Sequence, residues 1–179
     1  MLGVFKIFRN KILYHRYGAV EFYRRQGVKI GDNCRLYSMI ISSEPFLIEI
    51  GDKVTITSGV RILTHDGSTW LMNDKKGRRF LYRSVKIGNN VFIGVNSIIM
   101  PGVIIEDDVI VAAGSIVTKS IPGGVIVGGN PAKIIGSYQE YIQNGLSTLH
   151  TSEDFDVTVS YQEAIEKIVD RTHKPFLKA

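Results

Sequence analysis

The chain has 179 residues, 44% of them hydrophobic, a formal net charge of +5 and one cysteine, Cys34. That size suits one domain with appendages, and a lone cysteine excludes an internal disulfide framework. No apolar run reaches the ~20 residues that span a bilayer, no signal-peptide pattern is present, and no interleaved aromatic and basic repeat marks a nucleic-acid surface, so a cytoplasmic protein with no nucleic-acid partner is expected. The positive charge is explained by a solvated surface, with a phosphorylated small ligand using part of it.

Residues 1–27 predict a basic helical segment. Leu2, Val4, Phe5, Ile7, Phe8, Ile12 and Leu13 form an apolar side, and Lys6, Arg9, Lys11, Arg16, Arg24 and Arg25 a charged one. Two roles fit: a cap over the open end of a repeat core, or a helix lying in the inner membrane interface.

From Val28 a hexad takes over. Ile30 and Leu36 open an apolar column, the register slips at Ser42-Ser43-Glu44-Pro45, and Ile50, Ile56 and Ile62 resume it. The repeat stops at Thr64-His65-Asp66. Residues 67–84 match no hexad and read as a structureless basic loop, with Lys75, Lys76, Arg78, Arg79 and Arg83 beside turn residues Asn73, Asp74 and Gly77. The repeat then runs unbroken, with Ile87, Ile93, Ile99, Ile105, Val111 and Val117 each six residues apart. A second column four residues on, Val91, Ser97, Val103, Val109, Ser115 and Ile121, holds the smaller side chains. A period of six suits neither a helix nor a simple strand; it suits a β-solenoid of short strands joined by tight corners. Cys34 falls in the small-residue column and reads as an inert buried thiol.

The segments VKIGNNVFIGVNSIIMPGV, VIVAAGSIVTKSIPGG and VGGNPAK resemble the hexapeptide-repeat acyltransferases. They are most similar to the maltose, galactoside and xenobiotic O-acetyltransferases and to those of bacterial polysaccharide synthesis. The resemblance implies a left-handed parallel β-helix over residues 28–136, with the insertion at 67–84 and helical segments at 1–27 and 137–179. It implies acetyl-CoA as acyl donor without a metal, a sugar or glycan hydroxyl as acceptor in surface polysaccharide synthesis, and a homotrimer with sites between subunits.

Chemically, acyl transfer to an alcohol needs a base for the hydroxyl proton and a donor for the oxyanion. Of the four histidines only His65 lies within the repeats, where they break into the basic loop. The resemblance makes it the general base. Asp66 either orients its ring or forms a turn. Trp70, the sole tryptophan, either stacks on the acceptor sugar or anchors the loop. The loop cations suit coenzyme A of the next subunit or an acidic sugar. Ala113, through its backbone, Thr118, Lys119 and Lys133 match positions that meet coenzyme A in similar proteins, and a lysine ammonium suits phosphate.

Tyr138 to Leu149 and Tyr161 to Arg171 predict helices. Two other functions fit the same fold: a non-catalytic scaffold, which predicts no coenzyme A binding, and a zinc-dependent γ-class carbonic anhydrase, which requires three histidines on one metal.

Overall fold

A computed structural model of the chain describes residues 14, 16–37 and 42–176. His15 and the apolar stripe of residues 2–13 lie outside the described residues. The chain divides into two compact units, Met1–Tyr141 and Ile142–Ala179.

Helix α1, residues 16–25, leads into the first coil. That coil carries strands β1 (Lys29–Ile30) and β2 (Arg35–Leu36). The second carries β3 (Ile48–Ile50), β4 (Thr55–Ile56) and β5 (Arg61–Ile62). An excursion holds the small hairpin of β6 (Asn73–Asp74) and β7 (Gly77–Arg78). The third coil is β8 (Val85–Ile87), β9 (Phe92–Ile93) and β10 (Ile98–Ile99), and the fourth β11 (Ile104–Ile105), β12 (Ile110–Val111) and β13 (Ile116–Val117). Strands β14 (Val125–Gly128) and β15 (Lys133–Ser137) finish the stack.

Stacking makes three flat faces: β1-β3-β8-β11, β2-β4-β9-β12-β14-β15, and β5-β10-β13. All pairings within them are parallel except the last, where β15 returns antiparallel along β14. Most strands are only two residues long, too short to stand alone. They persist because each rung bonds to the rungs on both sides. Ile87 pairs with Ile105, Ile93 with Val111 and Ile99 with Val117, so one coil is eighteen residues.

The main apolar column fills the interior, with Ile50, Ile56, Ile62, Ile87, Ile93, Ile99, Ile105 and Val111 all buried. Branched side chains suit this site because their stiff χ1 loses little freedom on a pleated surface. Ser97 and Ser115 are also buried, and both hydroxyls donate to the Ala112 carbonyl, at 3.1 and 2.5 Å. A buried hydroxyl with a partner avoids the desolvation cost of an orphan. Cys34 is half-buried, its Sγ 3.1 Å from the Gly51 carbonyl, and burial pushes its thiol pKa up.

One corner carries a polar ladder. Asp52 Oδ1 accepts from the Asp32 N–H at 2.7 Å, Asn89 Oδ1 from Asp52 at 2.8 Å, and Asp107 Oδ1 from Asn89 at 2.7 Å. The residues that follow, Asn33, Lys53, Asn90 and Asp108, all take left-handed backbone, φ 54 to 59°. The glycine before each of the first three rungs leaves room for the ladder: a Cβ on Gly88 would stand 2.3 Å from Asp107 Oδ1 and 2.9 Å from its backbone nitrogen.

The first end of the stack is closed by α1. Phe22 and Tyr23 are buried in the same cluster as Val28 and Leu36, and the Arg24 side chain donates to the Ile30 and Gly31 carbonyls at 3.0 and 2.7 Å. The expected cap is therefore present over residues 16–25. Helix α2 (Tyr138–Thr148) and helix α3 (Tyr161–Ile168) match the two predicted helices, the second ending earlier than expected because Val169 turns to extended backbone. Within the unit Ile142–Ala179, Ser160 and Glu163 cap α3 reciprocally, and Lys167 pairs with Asp156 at 2.6 Å. Among the described residues no helix is long and apolar enough to cross a membrane.

Candidate active site

Strand β5 ends at Ile62, and the Leu63 N–H still donates to the Ile99 carbonyl at 2.9 Å. Thr64 and His65 are thus the first residues to leave the stack. The excursion closes at its neck as an antiparallel pair: Arg83 N–H donates to the Thr64 carbonyl at 2.8 Å, Asp66 N–H to Leu81 at 3.1 Å, and His65 faces Tyr82 across the bridge. The loop is not structureless, as its sequence suggests. Gly67–Leu71 forms a 3-10 turn and β6–β7 a hairpin, with Gly77 in left-handed backbone at φ 91°.

The residue that orients His65 comes from one coil earlier. Lys29 stacks on Glu49 and Leu36 on Ile56, twenty residues apart, so Glu44 falls beneath Thr64. Glu44 Oε2 stands 2.9 Å from His65 Nδ1. A carboxylate there accepts from Nδ1–H and leaves Nε2 as the proton acceptor. The same oxygen accepts from the Thr64 hydroxyl at 2.6 Å, Ser42 Oγ lies 2.5 Å from Thr64 Oγ1, and the Glu44 N–H donates to Ser42 Oγ at 3.2 Å. These bonds form a closed circuit around the carboxylate, whose side chain is 16% exposed against 43% for His65. Burial pushes the Glu44 carboxyl up, but hydrogen bonds from Thr64 and His65 and the histidine's charge outweigh it and hold it below the ordinary range.

Asp66 does not touch the ring. Its carboxylate caps the 3-10 turn, accepting from the Ser68 N–H at 2.9 Å, and hydrogen bonding from the Ser68 side chain and backbone lowers its pKa. The turn alternative for Asp66 therefore describes its side chain. Trp70 is exposed and lies under the Arg78 guanidinium, 4.9 Å from its ring centroid.

The coenzyme-matching positions gather around the third face. Ile62, Ile99 and Val117 are in register, so Thr118 and Lys119 leave the same edge as Leu63 and Thr64, two rungs on, roughly 10 Å along the axis. Ala113 lies in the turn that enters this face, and its backbone nitrogen would stand 2.5 Å from a Cβ on Gly94. The Ala132 N–H donates to the Ile116 carbonyl at 2.9 Å, which sets Lys133 one rung beyond β13. Thr118, Lys119 and Lys133 are all exposed. Among the described residues no group of three or more His, Cys, Asp or Glu is placed to hold a metal ion.

The described residues thus form a parallel three-faced solenoid with a carboxylate-held histidine at the mouth of the 67–84 excursion. Residues 84–119 match the family model described as the hexapeptide repeat of succinyl-transferase. Protein CapG of Staphylococcus aureus is 52% identical over 121 residues, covering 66% of this chain and 70% of that protein. The galactoside O-acetyltransferase of Escherichia coli K12 is 32% identical over 123 residues, 69% of this chain and 57% of that enzyme. A maltose O-acetyltransferase from Clostridium difficile 630 superposes with a TM-score of 0.54 at 30% identity, over 65% of this chain and 73% of that one. A hexapeptide-repeat acetyltransferase from Vibrio cholerae, complexed with acetyl coenzyme A, superposes with a TM-score of 0.55 at 30% identity, over 63% and 61%. The chain belongs to the hexapeptide-repeat acyltransferase superfamily, and its solenoid is a left-handed parallel β-helix.

Glu44 escaped the sequence reading. The signal was present in the slip of register at Ser42–Pro45: Glu44 is the one acidic residue in it.

Proposed function

We propose that this protein transfers the acetyl group of acetyl-CoA to a hydroxyl of a sugar or glycoconjugate in surface polysaccharide synthesis, with His65 as general base and Glu44 as its positioning residue. The observation that carries the proposal is the 2.9 Å contact between His65 Nδ1 and Glu44 Oε2 at the edge of the third face. The acetyltransferase relatives and the acetyl coenzyme A complex supply the donor.

In the proposed reaction the acceptor hydroxyl gives its proton to His65 Nε2 as its oxygen attacks the thioester carbonyl. The C–O bond forms, the tetrahedral intermediate collapses, the C–S bond breaks, and the imidazolium returns the proton to the departing thiolate. No acyl-enzyme is needed. The imidazolium is matched by the Glu44 carboxylate, which stabilises charge that develops during transfer. Lys133 and Lys119 meet the phosphates of coenzyme A, and the Ala113 backbone and Thr118 meet the rest. A histidine ring 43% exposed leaves one side of the site to water. A homotrimer, whose neighbouring subunit walls that side, would exclude it.

Calorimetric titration with coenzyme A tests the donor. One site per chain, weakened by Lys133→Ala, is expected. No heat at millimolar ligand would return the chain to a scaffold. A thiol-release assay over a panel of sugars then tests the chemistry. His65→Ala should lower turnover by roughly 10²–10⁴-fold with coenzyme A affinity unchanged; near-normal turnover would remove His65 from its role.

A further inference from the structure

The excursion after His65 carries a stack of side chains that its own fold does not require. The Arg78 guanidinium lies 4.9 Å from the Trp70 centroid and 4.8 Å from that of Phe80. Phe80 stacks on Tyr82 at 6.2 Å with an angle of 11° between the rings, and Tyr82 stands 6.1 Å from the His65 ring. The path from guanidinium to candidate base is continuous. Yet its aromatic members are not buried: Trp70, Phe80 and Tyr82 are 68, 61 and 53% exposed. Rings that only anchored a loop would be covered by it.

Arg78 and Arg79 differ in a way that assigns a task to the first. Arg79 is engaged, paired with Asp74 at 2.5 Å and donating to the Gly77 carbonyl at 3.0 Å. Arg78 has aromatic contacts on its guanidinium but no carboxylate or carbonyl partner among the described residues. Its N–H edge is therefore held in place and left free. A planar fork fixed in this way suits a carboxylate, which it can take with two parallel hydrogen bonds. Residues 67–84 hold five basic side chains against one acidic, so the surroundings favour an anion. The flanking aromatic faces favour a flat, weakly polar ring face over an isolated phosphate.

We infer that the Trp70–Arg78–Phe80–Tyr82 stack is the acceptor subsite, and that Arg78 selects a sugar bearing a carboxylate, a uronic acid or a related acidic pyranose. This rests on the transferase reading, with His65 at the reacting end. The acidic ring binds by its carboxylate to Arg78 and its apolar face lies on the aromatic rings; because Phe80 and Tyr82 both stand between Arg78 and His65, the hydroxyl presented to His65 belongs to a neighbouring sugar of the same glycan.

Trp70 is the sole tryptophan, so its emission reports this stack without need of turnover. Full-length protein would be titrated with glucuronate and galacturonate, and with glucose and galactose as neutral counterparts, in wild type, His65→Ala, Arg78→Lys and Arg78→Gln. Saturable change is expected with the uronates in wild type and in His65→Ala alike. Arg78→Gln should weaken uronate binding roughly tenfold or more, Arg78→Lys by less, and both should affect the weaker binding of neutral sugars far less than that of the uronates. Equal affinity for acidic and neutral sugars, no saturable change with the uronates, or indifference to Arg78→Gln would overturn the inference. A raised KM for acetyl-CoA in Arg78→Gln would overturn it too, by giving the arginine to coenzyme A, and loss of subunit association would give the stack to a second copy of the chain. Uronate binding without acetylation would leave the subsite standing and remove the transferase reading.

Discussion

At the scale of the residue, the decisive contact is between side chains 21 positions apart. His65 was legible as a candidate base because it is the one histidine inside a regular pattern and sits where the pattern breaks. Its partner was not, because neighbours in sequence are poor guides at a corner: the adjacent Asp66 turns away to cap Ser68, while Glu44 rises from the coil beneath. Replacing Glu44 by Gln keeps the shape and removes the charge. Turnover should fall by up to about 10⁴-fold, because an amide in place of the carboxylate can hold the imidazole in the wrong tautomer, with the KM for acetyl-CoA unchanged. Rescue by Glu44→Asp would be partial at best, because the shorter side chain cannot serve both Thr64 and His65. Stability carries a second mark of the same group. The Glu44 pKa is lowered on folding, so its contribution is full above the ordinary carboxylate value of about 4.3 and is lost as pH falls through the folded value. Melting curves of wild type and Glu44→Gln should therefore draw together on acidification below about pH 4.3, and a constant gap between them would contradict the assignment.

At the scale of the element, the hexads were legible almost to the residue, because each places one side chain in a closed interior and tolerates no slip. The excursion was legible only as a break. Its hairpin is too short to show a period, and its turn depends on the Asp74 carboxylate accepting from Lys76 N–H at 2.8 Å, a contact that no pattern of hydrophobicity encodes. The corners give two predictions of opposite sign. Gly88→Ala drives a Cβ into the Asp107 side chain and backbone; a loss of about 1–3 kcal/mol in urea unfolding is expected, the usual range for overpacking. Lys53 occupies a left-handed position, φ 55°, that Asn holds in the equivalent rungs at 33 and 90. Lys53→Asn should add roughly 0.5–1 kcal/mol, because Asn meets less strain there, and thermal unfolding would show it.

At the scale of the whole molecule, the interior is one continuous column, so damage to it is shared by rungs on either side. Ile93 is fully buried between Ile56 and Val111 in register. Ile93→Ala should cost about 2–5 kcal/mol, the transfer term plus the cavity it leaves, as read by urea unfolding. The packing of α1 at the first end, through Phe22 and Tyr23, fits one of the two roles expected for the basic segment ahead of the repeat. The return of β15 was not legible: the expected parallel β-helix runs to residue 136, while the backbone over Lys133–Ser137 reverses and bonds to β14 in the opposite sense. That strand occupies the end of the second face, which would otherwise present an open edge.

The corner ladder has a direction. In each step a backbone N–H of an earlier coil is satisfied by a side chain of the coil that follows, from Asp32 to Asp52, Asn89 and Asp107. A chain made from its amino end therefore carries an unfinished turn at its leading edge throughout synthesis. Each new coil completes the one before it and exposes its own. Growth of this kind is vectorial and has no internal reason to stop. The first and third faces end at β11 and β13, and along the second the stacking ends where β15 turns back on β14.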